Sequence, residues 1–133
     1  MPDILLATDA DRILDEVDAA LADTDTIVRR VRSGLDVRPA IEEQQPDLVV
    51  LDLQTGNMGG MATCHGLRLE EGAGRLPHQP VLMLLDRDDD LFLARRSKAD
   101  GWLIKPLDSF RLRRAAEAIM AGDTFFEERR QPV

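Results

Sequence analysis

"PDLVVLDLQTGNMGG", residues 46–60, is the stretch that decides the fold. Residues 48–51 are continuously apolar, which is typical of a parallel β-strand covered by helices on both faces. The run ends at a carboxylate, Asp52, and a segment with three glycines follows it. Burying a carboxylate without a partner costs folding free energy. The position of Asp52 therefore indicates either a functional site or a destabilising feature without a function.

The same pattern recurs along the chain. Four other apolar runs lie at residues 4–7, 26–31, 81–85 and 102–104, and helix-length amphipathic stretches separate them. Asp108 is a plausible N-cap for the last helix. Strand and helix alternating five times predict an α/β fold with a doubly wound parallel sheet and right-handed crossovers. The shorter or patchier runs, at 26–31 and 102–104, fit the two edges of that sheet.

Length and composition narrow the class of protein. The 133 residues suit one domain, which we place at 1–122, followed by a loose tail at 123–133 with no effector domain. No apolar stretch approaches the length of a membrane span, so we expect no membrane association. A single cysteine favours a reducing, cytoplasmic location. The net charge of −8 argues against direct binding to nucleic acid.

Charged side chains follow several of the predicted strands. Asp9 comes after the first run, Asp52 and Asp86 after the third and fourth, and Lys105 after the fifth. Because parallel strands end at one edge, where such sheets bind ligands, we expect these groups to converge. The carboxylates suit a hard cation such as Mg²⁺, and the lysine would neutralise a bound anion. Taken singly, Asp9 and Asp11 could instead cap the first helix, and Lys105 could be a solvated loop residue.

Together these segments resemble the receiver domain of bacterial two-component response regulators. The resemblance runs from about residue 4 to residue 120 and is strongest in "PDLVVLDL", "PVLMLL" and "ADGWLIKPLD". It implies a flavodoxin-like sheet of five strands in the order 2-1-3-4-5. It also implies that Asp52 accepts a phosphoryl group from a histidine kinase or a phosphotransfer protein.

The resemblance further implies a set of site residues. Mg²⁺ would be held by Asp9, by Asp52 and by the backbone carbonyl of Gln54. Lys105 would pair with Asp52 and then with the phosphoryl oxygens, and the peptide bond before Pro106 would be cis. Trp102 occupies the aromatic switch position of such domains, with plain core packing as the alternative.

Several residues depart from the family pattern. Thr8 replaces one of two adjacent acids, which predicts weak Mg²⁺ binding, and Gly56 and Gly59 replace a proline and an acid. Leu85 stands where a serine or threonine would hold a phosphoryl oxygen, and Asp86 replaces a small residue. A leucine cannot donate a hydrogen bond, and a carboxylate repels an incoming phosphoryl group unless a cation screens it. We therefore predict that phosphorylation of Asp52, if it occurs, is slow or only weakly coupled to conformational change.

Three classes of function follow. The first is a stand-alone phospho-receiver that acts by binding other proteins. The second, favoured by the departures, is a pseudo-receiver adaptor that works without phosphorylation. We do not expect an enzyme: "ATDADR" is not a flavin phosphate loop, and Gln54 stands where a haloacid-dehalogenase-type phosphatase would need an acid.

The predicted output surface is residues 91–114, which would meet a separate output protein or a second copy. It is rich in bases on an acidic chain: Arg95, Arg96, Lys98, Lys105, Arg111, Arg113 and Arg114 stand against Asp100 and Asp108. The excess suggests an acidic partner or a charge-paired dimer, although ordinary solvated helix faces would also explain it. Cys64 and His65 are adjacent on a helix and do not predict a metal site, and His78 has no evident partner.

Overall fold

The apolar runs form the strands of a parallel sheet. The computed structural model describes residues 2–56 and 58–128. The strands that grow from the runs are β1 (Asp3–Ala7), β2 (Ile27–Val31), β3 (Leu48–Asp52), β4 (Val81–Leu85) and β5 (Gly101–Ile104). All residues of β1, β3, β4 and β5 are buried, as expected for strands covered on both faces.

Helices fill the stretches between the strands. They are α1 (Asp11–Leu21), α2 (Val37–Glu43), α3 (Gly60–Gly72), α4 (Leu91–Ser97) and α5 (Ser109–Met120). The Asp108 carboxylate accepts a hydrogen bond from the Arg111 amide at 2.9 Å, which confirms Asp108 as the N-cap of α5. No helix in the described residues combines the length and the apolar composition that a membrane span requires.

Two apolar clusters cover the sheet, one on each face. Successive residues of a strand point to opposite faces, so β1 sends Leu5 towards α2, α3 and α4, and Leu6 towards α1 and α5. Leu85 and Trp102 both belong to the first of these clusters. The two faces together give the three-layer α/β architecture that the sequence predicts.

The sheet has six strands rather than the predicted five. Their order is β2-β1-β3-β4-β5-β6, and β6 (Phe125–Phe126) pairs in parallel with β5. The order 2-1-3-4-5 is therefore correct for the first five strands, but β5 is not an edge. The added strand lies in the segment 123–133 that we expected to be loose, of which residues 129–133 lie outside the described part.

The register brings the functional candidates to one edge. Ala7 is level with Leu51, and Asp52 is level with Leu84. Leu85 is level with Ile104 at the end of β5. Residues that follow β1, β3, β4 and β5 therefore emerge side by side at the carboxyl edge of the sheet, where ligands bind in folds of this type.

Candidate functional site

Asp52 lies at the centre of the carboxyl edge and is almost fully buried, with 2% of its surface exposed. Lys105 Nζ donates to Asp52 Oδ1 at 2.5 Å, and the backbone amide of Gln54 donates to the same oxygen at 3.3 Å. Thr8 Oγ1 donates to Asp52 Oδ2 at 2.7 Å. Both carboxylate oxygens therefore have hydrogen-bond donors, which is what a buried carboxylate requires.

Thr8 has a direct role that sequence reasoning missed. Its hydroxyl donates to Asp52 and accepts a hydrogen bond from the Ala10 amide at 3.1 Å. From the sequence, Thr8 counted only as a lost carboxylate. The missed signal is that a hydroxyl directly after β1, beside the end of β3, can act as a donor to the buried acid.

Lys105 is shared between two carboxylates. Its Nζ also lies 2.8 Å from Asp86 Oδ1, and its side chain is only 16% exposed. It is therefore not the solvated loop lysine of the alternative interpretation. Burial disfavours the charged form of Lys105, but the hydrogen bonds that it donates to Asp52 and Asp86 outweigh this effect and raise its pKa above the ordinary value.

Asp86 is held as a partner of that lysine. Gln54 Nε2 donates to Asp86 Oδ2 at 2.6 Å, while Lys105 occupies Oδ1. Burial alone would raise the pKa of Asp86, but the bonds from Lys105 and Gln54 lower it below the usual range. The carboxylate is thus ionised and screened by Lys105, the condition under which we expected its repulsion to be reduced.

Asp9 lies further out than Asp52 and is exposed. The Gly56 amide donates to Asp9 Oδ2 at 2.7 Å, and a Cβ on Gly56 would lie only 2.3 Å from that oxygen. Asp9 does not cap α1, because the N-cap residue is Ala10 and has no side-chain cap bond. The carboxylate instead ties the end of β1 to the loop after β3.

The expected magnesium ligands were Asp9, Asp52 and the carbonyl oxygen of Gln54. All three offer oxygen atoms as ligands at the carboxyl edge of the sheet, Asp52 from the end of β3 and the other two from loops, so their chemistry suits a hard cation. Within residues 2–56 and 58–128, no three histidine, cysteine, aspartate or glutamate side chains are grouped to hold a metal. Any site there depends on two carboxylates and a carbonyl, and both carboxylates already accept hydrogen bonds.

The residues next to the site on β4 and β5 are tightly packed. Leu85 is completely buried, and Trp102 is 4% exposed in the same apolar cluster. Trp102 Nε1 donates to the Glu127 carbonyl oxygen at 3.0 Å, and its ring lies 4.4 Å from that of Phe126. Trp102 therefore packs into the core and is also bonded to the segment after α5. The peptide bond between Lys105 and Pro106 is cis, as the resemblance implies.

In the described part of the chain, the cysteine and histidine side chains do not form a second site. Cys64 is buried, and this burial raises the pKa of its thiol to about 11, while neighbouring His65 is exposed. His78, which has no evident partner in the sequence, lies between two acids. Its Nδ1 is 2.9 Å from Glu71 Oε1, and its Nε2 is 3.3 Å from Asp100 Oδ1.

The basic residues of 91–114 have varied surroundings. Arg95 and Arg111 pair with Glu128 and Glu127. The guanidinium groups of Arg96 and Arg114 lie over the rings of Phe92 and Phe110, at 5.7 and 5.6 Å. Both rings are largely exposed, at 65% and 69%. The surface therefore combines bases with exposed aromatic rings, and acids from the segment after α5 already neutralise part of it.

Comparison with known proteins gives a consistent family. A sequence profile of the response regulator receiver domain matches residues 4–117. The transcriptional regulatory protein AfsQ1 of Streptomyces coelicolor is 31% identical over 109 residues, which cover 80% of this chain and 46% of that protein. The DNA-binding response regulator MtrA of Mycobacterium tuberculosis is 35% identical over 99 residues, 67% of this chain and 41% of that protein. The chain thus spans about half the length of these relatives.

Solved structures share the fold. The signal receiver domain of a signal transduction histidine kinase from Syntrophus aciditrophicus superposes with a TM-score of 0.80. It is 23% identical, and the match covers 92% of this chain and 92% of that one. At this identity the likeness establishes the three-dimensional arrangement of strands and helices alone.

Proposed function

Because the chain belongs to the response regulator receiver domains of two-component signalling, we propose that Asp52 is its phosphoryl acceptor. The observation that carries the proposal is the contact of 2.5 Å between Lys105 Nζ and Asp52 Oδ1 at the carboxyl edge of the sheet. A lysine in contact with a buried acceptor can neutralise the charge that a phosphoryl group adds. We propose a signalling protein rather than an enzyme.

The step itself is a transfer between two side chains. A carboxylate oxygen of Asp52 forms a bond to the phosphorus of a phosphohistidine donor as the phosphorus–nitrogen bond breaks. The electron pair leaves with the histidine nitrogen, which gains a proton from solvent, and Asp52 becomes an acyl phosphate. In such transfers the protein acts mainly by positioning the groups and stabilising charge. Lys105 and Thr8 are the residues of this chain that would hold the acceptor.

We propose that Mg²⁺ assists by shielding the negative charges at the site. Asp9, Asp52 and the Gln54 carbonyl oxygen would hold it. Binding should be weak, because Gly56 and Lys105 compete for the two carboxylates and Thr8 supplies no third one.

The partners would be a histidine kinase or phosphotransfer protein on the input side and a separate protein or second copy on residues 91–114. Direct nucleic acid contact is not part of the proposal. A cytoplasmic location stays a prediction.

A mass measurement tests the acceptor. The full chain is incubated with Mg²⁺ and a small phosphodonor such as acetyl phosphate, beside Asp52→Asn. We expect the wild type to gain the mass of one phosphoryl group slowly, and the variant to gain none. Equal modification of both proteins would refute Asp52 as the acceptor.

A phosphorylation-independent adaptor is the second candidate. The pairing of Lys105 with Asp86 favours it, because the lysine already has a second anion at the site. In that case the wild type would gain no mass, and Asp52→Asn would bind partners as the wild type does.

A further inference from the structure

Residues 125–128, here called the C-terminal latch, lie along the edge of β5. The Phe125 amide donates to the Asp100 carbonyl oxygen at 3.2 Å, and the Glu127 amide donates to that of Trp102 at 3.3 Å. A Cβ on Gly101 would lie 2.5 Å from the Phe125 carbonyl oxygen, so the glycine permits this close approach. The latch thus adds a strand to an edge that would otherwise be open.

The latch also covers Trp102. The ring of Phe126 lies against Trp102 with its centroid at 4.4 Å, and the indole N–H donates to the Glu127 carbonyl oxygen. The edge of β5 therefore accepts an aromatic ring next to the indole, in addition to backbone hydrogen bonds.

A carboxylate completes the contact. The Glu127 side chain accepts from the Ile104 amide at 2.9 Å and from Arg111 Nε at 2.8 Å. Outside it, Glu128 pairs with Arg95 at 2.5 Å, where both side chains are more than half exposed. The pair of Glu127 and Arg111 is largely buried and has a defined geometry. The pair of Glu128 and Arg95 is screened by solvent and contributes little to stability.

The backbone pairing of the latch with β5 is short. Its strand has only two residues, Phe126 is 44% exposed, and both backbone bonds are longer than 3.0 Å. Residues 121–124 join it to α5, and a tether this short gives a millimolar effective concentration. The tether therefore adds to the contacts with Trp102 and Arg111 that keep the latch in place.

We propose that the edge of β5 with Arg111 and Trp102 is a binding site for an extended segment of another protein. That segment carries an aromatic residue followed by a glutamate, and the C-terminal latch is its intramolecular competitor. The partner is identified by the chemistry that the latch displays: an added strand, a ring on Trp102 and a carboxylate on Arg111. The proposal deepens the output role proposed above, because this edge lies within residues 91–114.

The test uses Trp102 as the reporter, since the chain has one tryptophan and no tyrosine. Full-length Glu127→Lys replaces the carboxylate with a base beside Arg111. Glu117→Lys makes the same substitution on the exposed side of α5 and is the matched control. Acrylamide quenching of Trp102 is measured for both variants and the wild type without a phosphodonor, so failure here leaves the phosphorylation proposal untouched.

We expect quenching to rise in Glu127→Lys alone. A capped peptide of residues 123–128, DTFFEE, should reduce the quenching of Trp102 in Glu127→Lys again. The peptide should bind this variant about tenfold or more tightly than it binds the wild type. The peptide with Gln at the position of Glu127 should bind about tenfold more weakly than DTFFEE. Phe126→Ala, which removes a partly exposed ring, is the second opening variant if Glu127→Lys does not fold.

Three results would overturn the proposal. Equal quenching in the opened and control variants would mean that the latch does not cover Trp102. Failure of DTFFEE to protect the opened variants would mean that the edge takes no external segment. A concentration-dependent dimer of the opened variants in light scattering, protected without peptide, would assign the edge to a second copy instead.

Discussion

The reactivity of Asp52 depends on the hydrogen-bond donors around its carboxylate more than on its position at the end of β3. Thr8, Lys105 and the Gln54 amide all donate to its carboxylate, which stabilises the ionised form in a buried place. These three bonds occupy most of the roughly four lone-pair sites of the carboxylate, which should lower its reactivity toward phosphorus. Asp86 adds to this restraint, because it also accepts a hydrogen bond from Lys105.

Removing the charge of Asp86 should speed modification of Asp52. In Asp86→Asn, Lys105 keeps one carboxylate and is free to meet an incoming phosphoryl group, and one repulsive charge is gone. We expect the rate with acetyl phosphate to rise by about three- to tenfold, which corresponds to roughly 1 kcal/mol of barrier. The rate is followed by intact mass.

Asp89→Asn is the control for this measurement, since it removes an equal charge from an exposed neighbour. If both variants react at the same increased rate, general charge rather than the bond to Lys105 is responsible. An unchanged rate in Asp86→Asn would contradict the inhibitory role of Asp86.

At the scale of elements, the C-terminal part of α3 is bonded to the segments that lead into β4 and β5. These segments lie at the amino-terminal ends of the strands, opposite to the site. Arg68 Nη1 pairs with Glu71 at 2.6 Å, and Arg68 Nη2 pairs with Asp100, before β5, at 2.8 Å. Glu71 also accepts from the Gln79 amide at 3.2 Å and contacts His78. One carboxylate therefore joins α3 to the loop that enters β4.

The stabilising effect of Glu71 should depend on pH. Burial alone would raise the pKa of Glu71, but His78, the backbone amide of Gln79 and Arg68 lower it below its ordinary value. A carboxylate with a lowered pKa stabilises the fold above the unfolded value, and this effect is lost as pH falls through the folded value. Glu71→Gln should therefore cost about 1–2 kcal/mol of unfolding free energy at pH 7, and less in acid.

Urea unfolding followed by circular dichroism, at neutral pH and at about pH 3.5, measures the difference. Glu43→Gln, at the exposed end of α2, should match the wild type at both values. A loss of stability in Glu71→Gln that is as large in acid as at neutral pH would show that the ionised carboxylate is not the cause.

Across the whole molecule, a buried apolar cluster separates the site from the edge that carries the C-terminal latch. Leu85 and Trp102 lie in one buried cluster, and the latch fixes Trp102 from outside. Close-packed apolar side chains have no second hydrogen-bonded arrangement to adopt when the charge at Asp52 changes. We therefore expect modification of Asp52 to leave the environment of Trp102 nearly unchanged.

A hydroxyl at position 85 should partly couple modification of Asp52 to the environment of Trp102. In Leu85→Thr, the side chain gains a donor for a phosphoryl oxygen, so acetyl phosphate should change the acrylamide quenching of Trp102 more than in the wild type. Leu85→Val introduces a side chain of nearly the same shape as threonine but without the hydroxyl, which makes it the matched control. Both variants should lose about 1–3 kcal/mol of stability through the smaller side chain. An equal response in the two variants would refute the role of the hydroxyl.

The sequence by itself determined the first five strands and the edge at which the site lies. Continuous apolar runs must be buried on both faces, and parallel strands end together, so Asp52 and Lys105 had to meet once the order was known. These are consequences of local patterns and of a short list of permitted topologies.

Only the tertiary structure decided the rest. Strand β6 has two residues, too few for any periodicity, and its place depends on Trp102 and Arg111, which are distant in sequence. Whether Asp86 meets a cation likewise depended on distances that no local pattern contains. The direction of an electrostatic effect and the docking of a short strand are set by which groups the fold brings within a few ångströms, and that is a property of the assembled chain.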